Sequence, residues 1–570
     1  MSLFKARRLS SYASLFVLCS AAVAAFAGCE SASPTAGSDS DSEAAPAADV
    51  ADEVATPPPA PIPDPCGIAP ACDPSVDEHS FPVSPSLVVT RNTESFPGLQ
   101  DAPILDEHFP LVDVVNQLIA QAGASESADE WLQRLWDTQN PAPGVFTEPF
   151  QPHCDDAGST INGFPVDCPR NEGALASGIK TADFTPIAVF NRFDLAPLDG
   201  THCGEYRIIY AQNPETAPGV TGRNFIIFEG QLPNPNPGCG IESCRPVEEF
   251  WRNLATLPNQ TEVGNHLRKF YFDGLPGFTP VIEIHHYGFN DGKPVAEGGY
   301  GSSGGQIRTN QFVDGPGAPA QWELREFHTD VQCDGGGCKL YSRPVSVKNN
   351  PFFQLFDVAS TNPAAPGFQG SFTSPSGASQ VVSLAVTDPN VVTNLSTIAM
   401  NIDDKFNAGQ SFSDSPIEAY PPQFAPGPDP FHDAVANELT AIGSGLTPEE
   451  IVERAQTQSC AGCHETSNGH PVGGGLTWPH SNKFTHVNED GTRSQALRCV
   501  FLPHRQSVGI GFLQSCGAAP DPRVPGDVDC EAFGGDGKVA VPPGKIVVKP
   551  NAKAAAPNQK KTLGGGSAVN

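Results

Sequence analysis

The chain has 570 residues, with 64 Asp and Glu against 33 Lys and Arg, a formal net charge of −31. Nucleic-acid binding needs clustered Lys and Arg, so this balance argues against DNA or RNA as a partner. Gly (56) and Pro (58) make up a fifth of the residues, against roughly 12 % in an average protein, which predicts many turns and loops, while 39 % hydrophobic content still allows a sizeable core.

The chain begins with a basic stretch containing Lys5, Arg7 and Arg8, followed by apolar and small residues over 12–28. A basic head and a short apolar run predict a signal peptide over 1–28, too short for a spanning helix. Ala25-Phe26-Ala27 fits an ordinary signal-peptidase site. Phe26-Ala27-Gly28-Cys29 resembles the bacterial lipobox, with Phe26 where that motif usually has Leu. The resemblance implies lipidation of Cys29 and a membrane anchor in the cell envelope, periplasmic or at the outer-membrane surface. Cysteine parity favours the lipobox: once Cys19 and Cys29 are consumed, an even number of cysteines is left. Residues 30–64 hold no aromatic residue, no Lys and no Arg, so 29–64 reads as a disordered acidic linker.

Residues 65–425 read as one large β-rich domain. Short β-branched and aromatic runs predict strands at 187–190, 206–210, 224–228 and 281–284. Helical periodicity appears at 110–121 and 129–137, again from Pro246 with a stripe of Phe250, Trp251, Leu254 and Leu257, and over 262–271. The fold class is therefore α+β. No repeat of 20–50 residues is visible, which argues against a propeller or solenoid. The cysteines come in near pairs, Cys66/Cys72, Cys154/Cys168, Cys239/Cys244 and Cys333/Cys338, which in an oxidising compartment read as local disulfides.

Candidate sites in this region are weak. His285 and His286 at a strand end would point to opposite faces. The Gly-rich run 298–305 has no following Lys and reads as a loop, and Arg192 with Asp194 reads as a structural ion pair. The stretches FNRFDLAP (190–197), CGEYRIIYA (203–211) and GGQIRTNQF (304–312) resemble parts of large exported lipoproteins to which no chemistry is assigned.

Chemistry is concentrated at Cys460-Ala461-Gly462-Cys463-His464. Thr447-Pro448-Glu449-Glu450 starts a helix, with Thr447 as N-cap and Pro448 first, that delivers this motif at its C-terminal end. A second helix is expected near 431–440. The motif resembles the C-x-x-C-H attachment site of mono-haem c-type cytochromes, which implies thioethers from Cys460 and Cys463, His464 as proximal iron ligand and one covalent haem c. The resemblance implies a small, mostly helical cytochrome-like segment over 430–532, followed by a disordered basic tail at 533–570.

Small c-type cytochromes usually place a Met on the other side of the iron. No Met follows the motif, and the only internal one is Met400. His486, in the apolar Phe484-Thr485-His486-Val487, is the first choice for that position and His480 the second, with a vacant sixth site as the alternative. The leading expectation is an exported, lipid-anchored mono-haem cytochrome that passes electrons to a redox partner protein. Two alternatives stay open: a haem-free, disulfide-stapled binding lipoprotein of the cell envelope, and a haem-dependent oxidoreductase or peroxidase. A zinc site would need a second close pair of ligands, which the sequence does not offer.

Overall fold

The computed structural model describes residues 75–91, 104–137, 160–165, 178–197, 199–213, 223–289, 304–313, 321–351, 354–374, 379–385, 395–413, 418–424 and 427–515. The signal peptide, Cys29, the acidic linker, Cys66, Cys72, Cys154, Cys168, 298–303 of the Gly-rich run, residues 516–532 and the basic tail lie outside the described residues.

The architecture is α+β, built on one eight-stranded antiparallel sheet. Its strands are β1 (Val88–Thr90), β2 (Phe184–Arg192), β3 (His202–Gln212), β4 (Asn224–Pro233), β5 (Gln306–Val313), β6 (Gln321–Asp334), β7 (Gly337–Val345) and β8 (Ser411–Phe412). Strands β1 to β6 run side by side in chain order, and both β7 and β8 pair with β6. Three of the four expected strand runs are the centres of β2, β3 and β4. The hairpin β6–β7 is closed by the Cys333–Cys338 disulfide, as its spacing predicts.

Alternate residues of a strand face opposite sides, so the sheet has two distinct faces. One face presents Tyr206, Ile208 and Tyr210 of β3 and Phe228 of β4. It is covered by four helices: α1 (Leu111–Gln121), α2 (Ala128–Asp137), α3 (Arg245–Asn253) and α4 (Gln260–Phe272). Helix α1 buries Leu111, Val114, Val115, Leu118 and Ile119, the stripe its periodicity predicts. Trp131 of α2 stacks on Phe228, and Trp251 of α3 stacks on Tyr206. In α3 the buried set is Arg245, Val247, Glu248 and Trp251, while Phe250 and Leu257 of the expected stripe are only partly covered.

Two expectations are corrected. Val281–Ile284 is not a strand. Its backbone is satisfied by side chains of α1: Gln117 Nε2 and Gln121 Nε2 donate to the Ile282 carbonyl at 2.7 and 3.1 Å, and Ile284 N donates to Gln121 Oε1 at 2.9 Å. A 3-10 turn then spans Ile284–Tyr287, leaving His285 exposed and His286 buried. The second correction is the pairing of Cys244. It bonds to Cys203, not Cys239, because the 3-10 run Pro237–Cys244 brings it to the start of β3, with Cα atoms 5.3 Å apart. Cys239 and Cys499 are disulfide-bonded as well.

The C-terminal part of the chain adds α5 (Pro430–Ala441), α6 (Pro448–Gln458) and α7 (Leu502–Gln514), and it meets the second face of the sheet through His464 on Trp322, Ala461 on Ser411 and Arg505 over Phe190. Among the described residues a single hydrophobic core includes both the sheet and side chains from Phe431 to Leu513. Phe512 of α7 packs on Phe193 at 4.6 Å, and Arg245 caps the end of α7 by donating to the carbonyls of Phe512, Leu513 and Ser515. No helix among the described residues is long and apolar enough to cross a membrane.

Glu248 is buried between α3 and α7, with one carboxylate oxygen accepting from Asn191 at 2.9 Å. Burial pushes its carboxyl up to about 8; the Asn191 hydrogen bond opposes this and the charge of Asp194 adds to it. The folded chain therefore keeps a proton that the unfolded chain releases near its ordinary value of 4.5, so stability falls as pH rises from about 4.5 to about 8. The slope from this group approaches about 1.4 kcal/mol per pH unit within that window. Glu248→Gln is expected to raise the melting midpoint above that of the native chain at pH 8 and to change it little at pH 5. Equal effects at both pH values in calorimetric melts would contradict the assignment.

Candidate functional site

The capping box works as the sequence predicts: Glu450 N donates to Thr447 Oγ1, and the Glu450 carboxylate accepts from Thr447 N. Helix α6 ends at Gln458, and a π-helical turn at Gly462–Thr466 follows. Gly462 is required here, because a Cβ at this position would lie 1.7 Å from the Gln456 carbonyl oxygen. The turn is tied to the sheet edge through Ser411 of β8, whose hydroxyl accepts from Ala461 N and donates to Glu418. Glu418 also accepts from Phe412 N, and its burial pushes the carboxyl up to about 8.

Cys460 and Cys463 are both buried thiols outside any disulfide. Burial pushes the Cys460 thiol well above its ordinary range, against the opposing charge of Arg308. His464 is wholly buried. Its Nδ1 lies 2.6 Å from the Phe484 carbonyl, which can only accept, so the proton sits on Nδ1. Nε2 then presents a bare lone pair, and it has no hydrogen-bond partner among the described residues. Burial holds the ring neutral, with its pKa down at about 4. A neutral imidazole fixed through Nδ1 to a carbonyl, with Nε2 bare, is the arrangement of a metal-ligating histidine.

His486 lies in the same pocket. Its ring centroid is 4.8 Å from that of His464, its Nε2 is 3.4 Å from Cys463 Sγ, and its Nδ1 is 3.0 Å from Ser494 Oγ. Burial drives its pKa well below the usual histidine value. His480, the second choice, is exposed, with its ring beside Gly469, and His470 is exposed 3.6 Å from Glu453. Met400 is buried in the general core. Among the described residues, no three His, Cys, Asp or Glu side chains converge as a metal-binding group.

The loop that supplies the Phe484 carbonyl is strained. Lys483 and Phe484 have φ of 50° and 72°, two consecutive non-glycine residues in the left-handed region, at roughly 1–3 kcal/mol each. Arg223, from the start of β4, holds the loop in place: it donates to the Lys483 carbonyl at 3.0 Å and to Glu489 at 2.7 Å. Neither Arg223 nor Trp322 is identifiable from sequence, since each acts across more than 100 residues. Trp322 of β6 stacks on His464 with centroids 5.1 Å apart and planes at 26°.

Beneath the motif, the sheet face is charged. Arg207 Nη1 is 3.0 Å from Glu229, Arg308 Nε is 3.2 Å from Glu229, and Arg308 Nη2 is 2.8 Å from Glu326. At the end of β2, Arg192 grips Asp194 through Nε and Nη2 at 2.8 and 2.9 Å, the ion pair expected from sequence. Burial acts upward on Asp194, yet Arg192 and Arg505 hold it down at about 2. Against this dense packing, the cavity beside Cys463 measures about 10 Å³, lined by residues that include Ser396, Thr457, Trp478 and Phe501. That is room for about one water.

No family model, curated protein or solved structure matches this chain.

Arg223→Ala is expected to release the 483–489 loop. The loop ion pair is about one-third exposed, so the loss is modest, about 1 kcal/mol, or a roughly fivefold faster amide exchange at 484–489. Exchange in β3 should be unchanged. Hydrogen-exchange mass spectrometry checks this, and equal acceleration in both segments would show that Arg223 supports the whole fold instead.

Proposed function

We propose that this protein is an exported, lipid-anchored mono-haem c-type cytochrome that passes single electrons to a redox partner. The observation that supports this best is His464: a buried neutral imidazole with Nδ1 fixed and Nε2 bare, beside two thiols at C-x-x-C-H spacing. Cys460 and Cys463 would hold the macrocycle by thioethers and His464 its iron. When bound, the haem supplies one-electron exchange at a potential set by its axial ligands and surroundings. His486, in the same pocket as His464, is the residue that would hold the iron with it, and imidazole there would give a lower potential than Met. Cys29 would anchor the chain to the cell envelope, with residues 30–64 as tether.

The donors fit the group, and the space around them sets a condition. Buried thiols, with Cys460 held in its protonated form, are poor nucleophiles, and a cavity of about 10 Å³ admits no macrocycle. On this reading Cys460 and Cys463 would be joined to the haem before the fold closes over them. Chain exported from a host with c-haem maturation should carry one haem, shown by intact mass and by staining after denaturing electrophoresis. Haem mixed with folded thiol-form protein should give no covalent product. Cys460→Ala with Cys463→Ala should abolish the stain, and His486→Ala should change the spectrum without abolishing it.

The same tight packing favours a second reading, a haem-free envelope lipoprotein whose Cys460 and Cys463 are structural. A colourless protein from a maturation-competent host, with both cysteines recovered as thiols or as one disulfide, would replace the first reading with the second.

A further inference from the structure

A guanidinium carries five N–H donors and cannot lose its charge, so once buried it needs acceptors on every side. Arg505 of α7 does not have them. It is 3 % exposed, and its Nη1 and Nη2 have no hydrogen-bond partner among the described residues. The carboxylate it approaches is Asp194, with Oδ1 3.8 Å from Nε. Asp194 is already engaged by Arg192 through both oxygens. The Phe190 ring lies 5.8 Å from Arg505 Cζ and offers only its π-face.

The neighbouring carboxylates are engaged elsewhere. Register sets Arg207 opposite Glu229 and Arg308 opposite Glu326, on the face that carries Trp322 and the motif above it. Lys348 reaches Glu205 at 3.8 Å. The buried Arg192, Arg207, Arg308 and Arg505 balance Asp194, Glu205, Glu229 and Glu326 in number, but each of these carboxylates is paired with a cation other than Arg505, and the part-exposed Lys348 shares Glu205. Arg308 Nη1 also has no hydrogen-bond partner among the described residues. His486 packs on Phe501 with ring centroids 5.5 Å apart, and Phe501 lies one helical turn before Arg505 on the same side, so Arg505 borders the proposed redox centre.

We propose that Arg505 is the anion-recognition residue of this site, its two amino groups receiving one carboxylate or small oxyanion beside Cys463 and His486. A planar fork of two donors matches two oxygens on one carbon, nitrogen or sulfur, which favours a carboxylate, nitrite or sulfite over a spherical halide. Two sources share this chemistry: a propionate of the haem proposed above, or a free small anion. The inference depends on the haem reading only for the first source. A buried guanidinium whose donors lack acceptors weakens the fold, so Arg505 is retained at a cost in stability that binding of the anion offsets.

The test uses the full-length exported protein in two forms, haem-loaded and Cys460→Ala/Cys463→Ala. Each is melted in anion-poor buffer and with added formate, nitrite, sulfite or phosphate. A free-anion site predicts a rise of several degrees in both forms with at least one anion, abolished in Arg505→Gln and partly kept in Arg505→Lys. A propionate site predicts a rise only in the form without haem, together with a shifted propionate band in the resonance Raman spectrum of haem-loaded Arg505→Gln. In anion-poor buffer, Arg505→Gln should melt no lower than the native residue. If no anion stabilises either form and the Raman band is unmoved, the proposal is overturned and Arg505 is a structural partner of Asp194. If the protein carries no haem at all, the free-anion arm still decides the matter.

Discussion

An antiparallel sheet face that carries arginine and glutamate can be buried only if its charges find partners. Burying even one unpaired charge costs several kcal/mol, so pairing and sealing are linked requirements. Here Arg207, Glu229, Arg308 and Glu326 form a ladder across four strands, and the C-x-x-C-H turn and α7 pack on the same face, at Trp322 and Phe190. The position of the motif follows from this. It is placed where the sheet's charges meet the core of the C-terminal layer, and a redox centre there would sit in a dry but strongly charged setting.

The same constraint explains the precision of the local geometry. Gly462 lets the turn pass against Gln456, Ser411 and Glu418 tie it to the sheet edge, and Trp322 stacks on His464 from below. On the far side, a loop with two left-handed residues supplies the carbonyl that fixes the His464 tautomer, and Arg223 holds it there. Strain of this kind persists only where surrounding contacts over-determine it, and it commonly marks functional positions.

Local signals were readable in the sequence where the cause is local. Thr447, Pro448 and Glu450 defined the start of α6, Cys333 and Cys338 the β6–β7 hairpin, and the apolar stripe of 110–121 its buried side. The failures have non-local causes. Val281–Ile284 looks like a strand, but Gln117 and Gln121 from α1 take its backbone bonds. Cys244 pairs with Cys203 across 41 residues because of how β3 and α3 meet. His486 was visible as an apolar-flanked histidine, whereas Arg505 was not: in sequence it is one arginine in a helix, and only the tertiary fold shows that Asp194 is already taken.

The central claim is that His464 is fixed and deprotonated at Nε2 in order to ligate iron. A high-resolution crystal structure of the protein exported from a haem-maturing host tests it most directly. The account predicts one haem joined to Cys460 and Cys463, iron on His464 Nε2, and Nδ1 still donating to the Phe484 carbonyl. A Cys460–Cys463 disulfide, with His464 Nε2 facing only side chains or water, would contradict it.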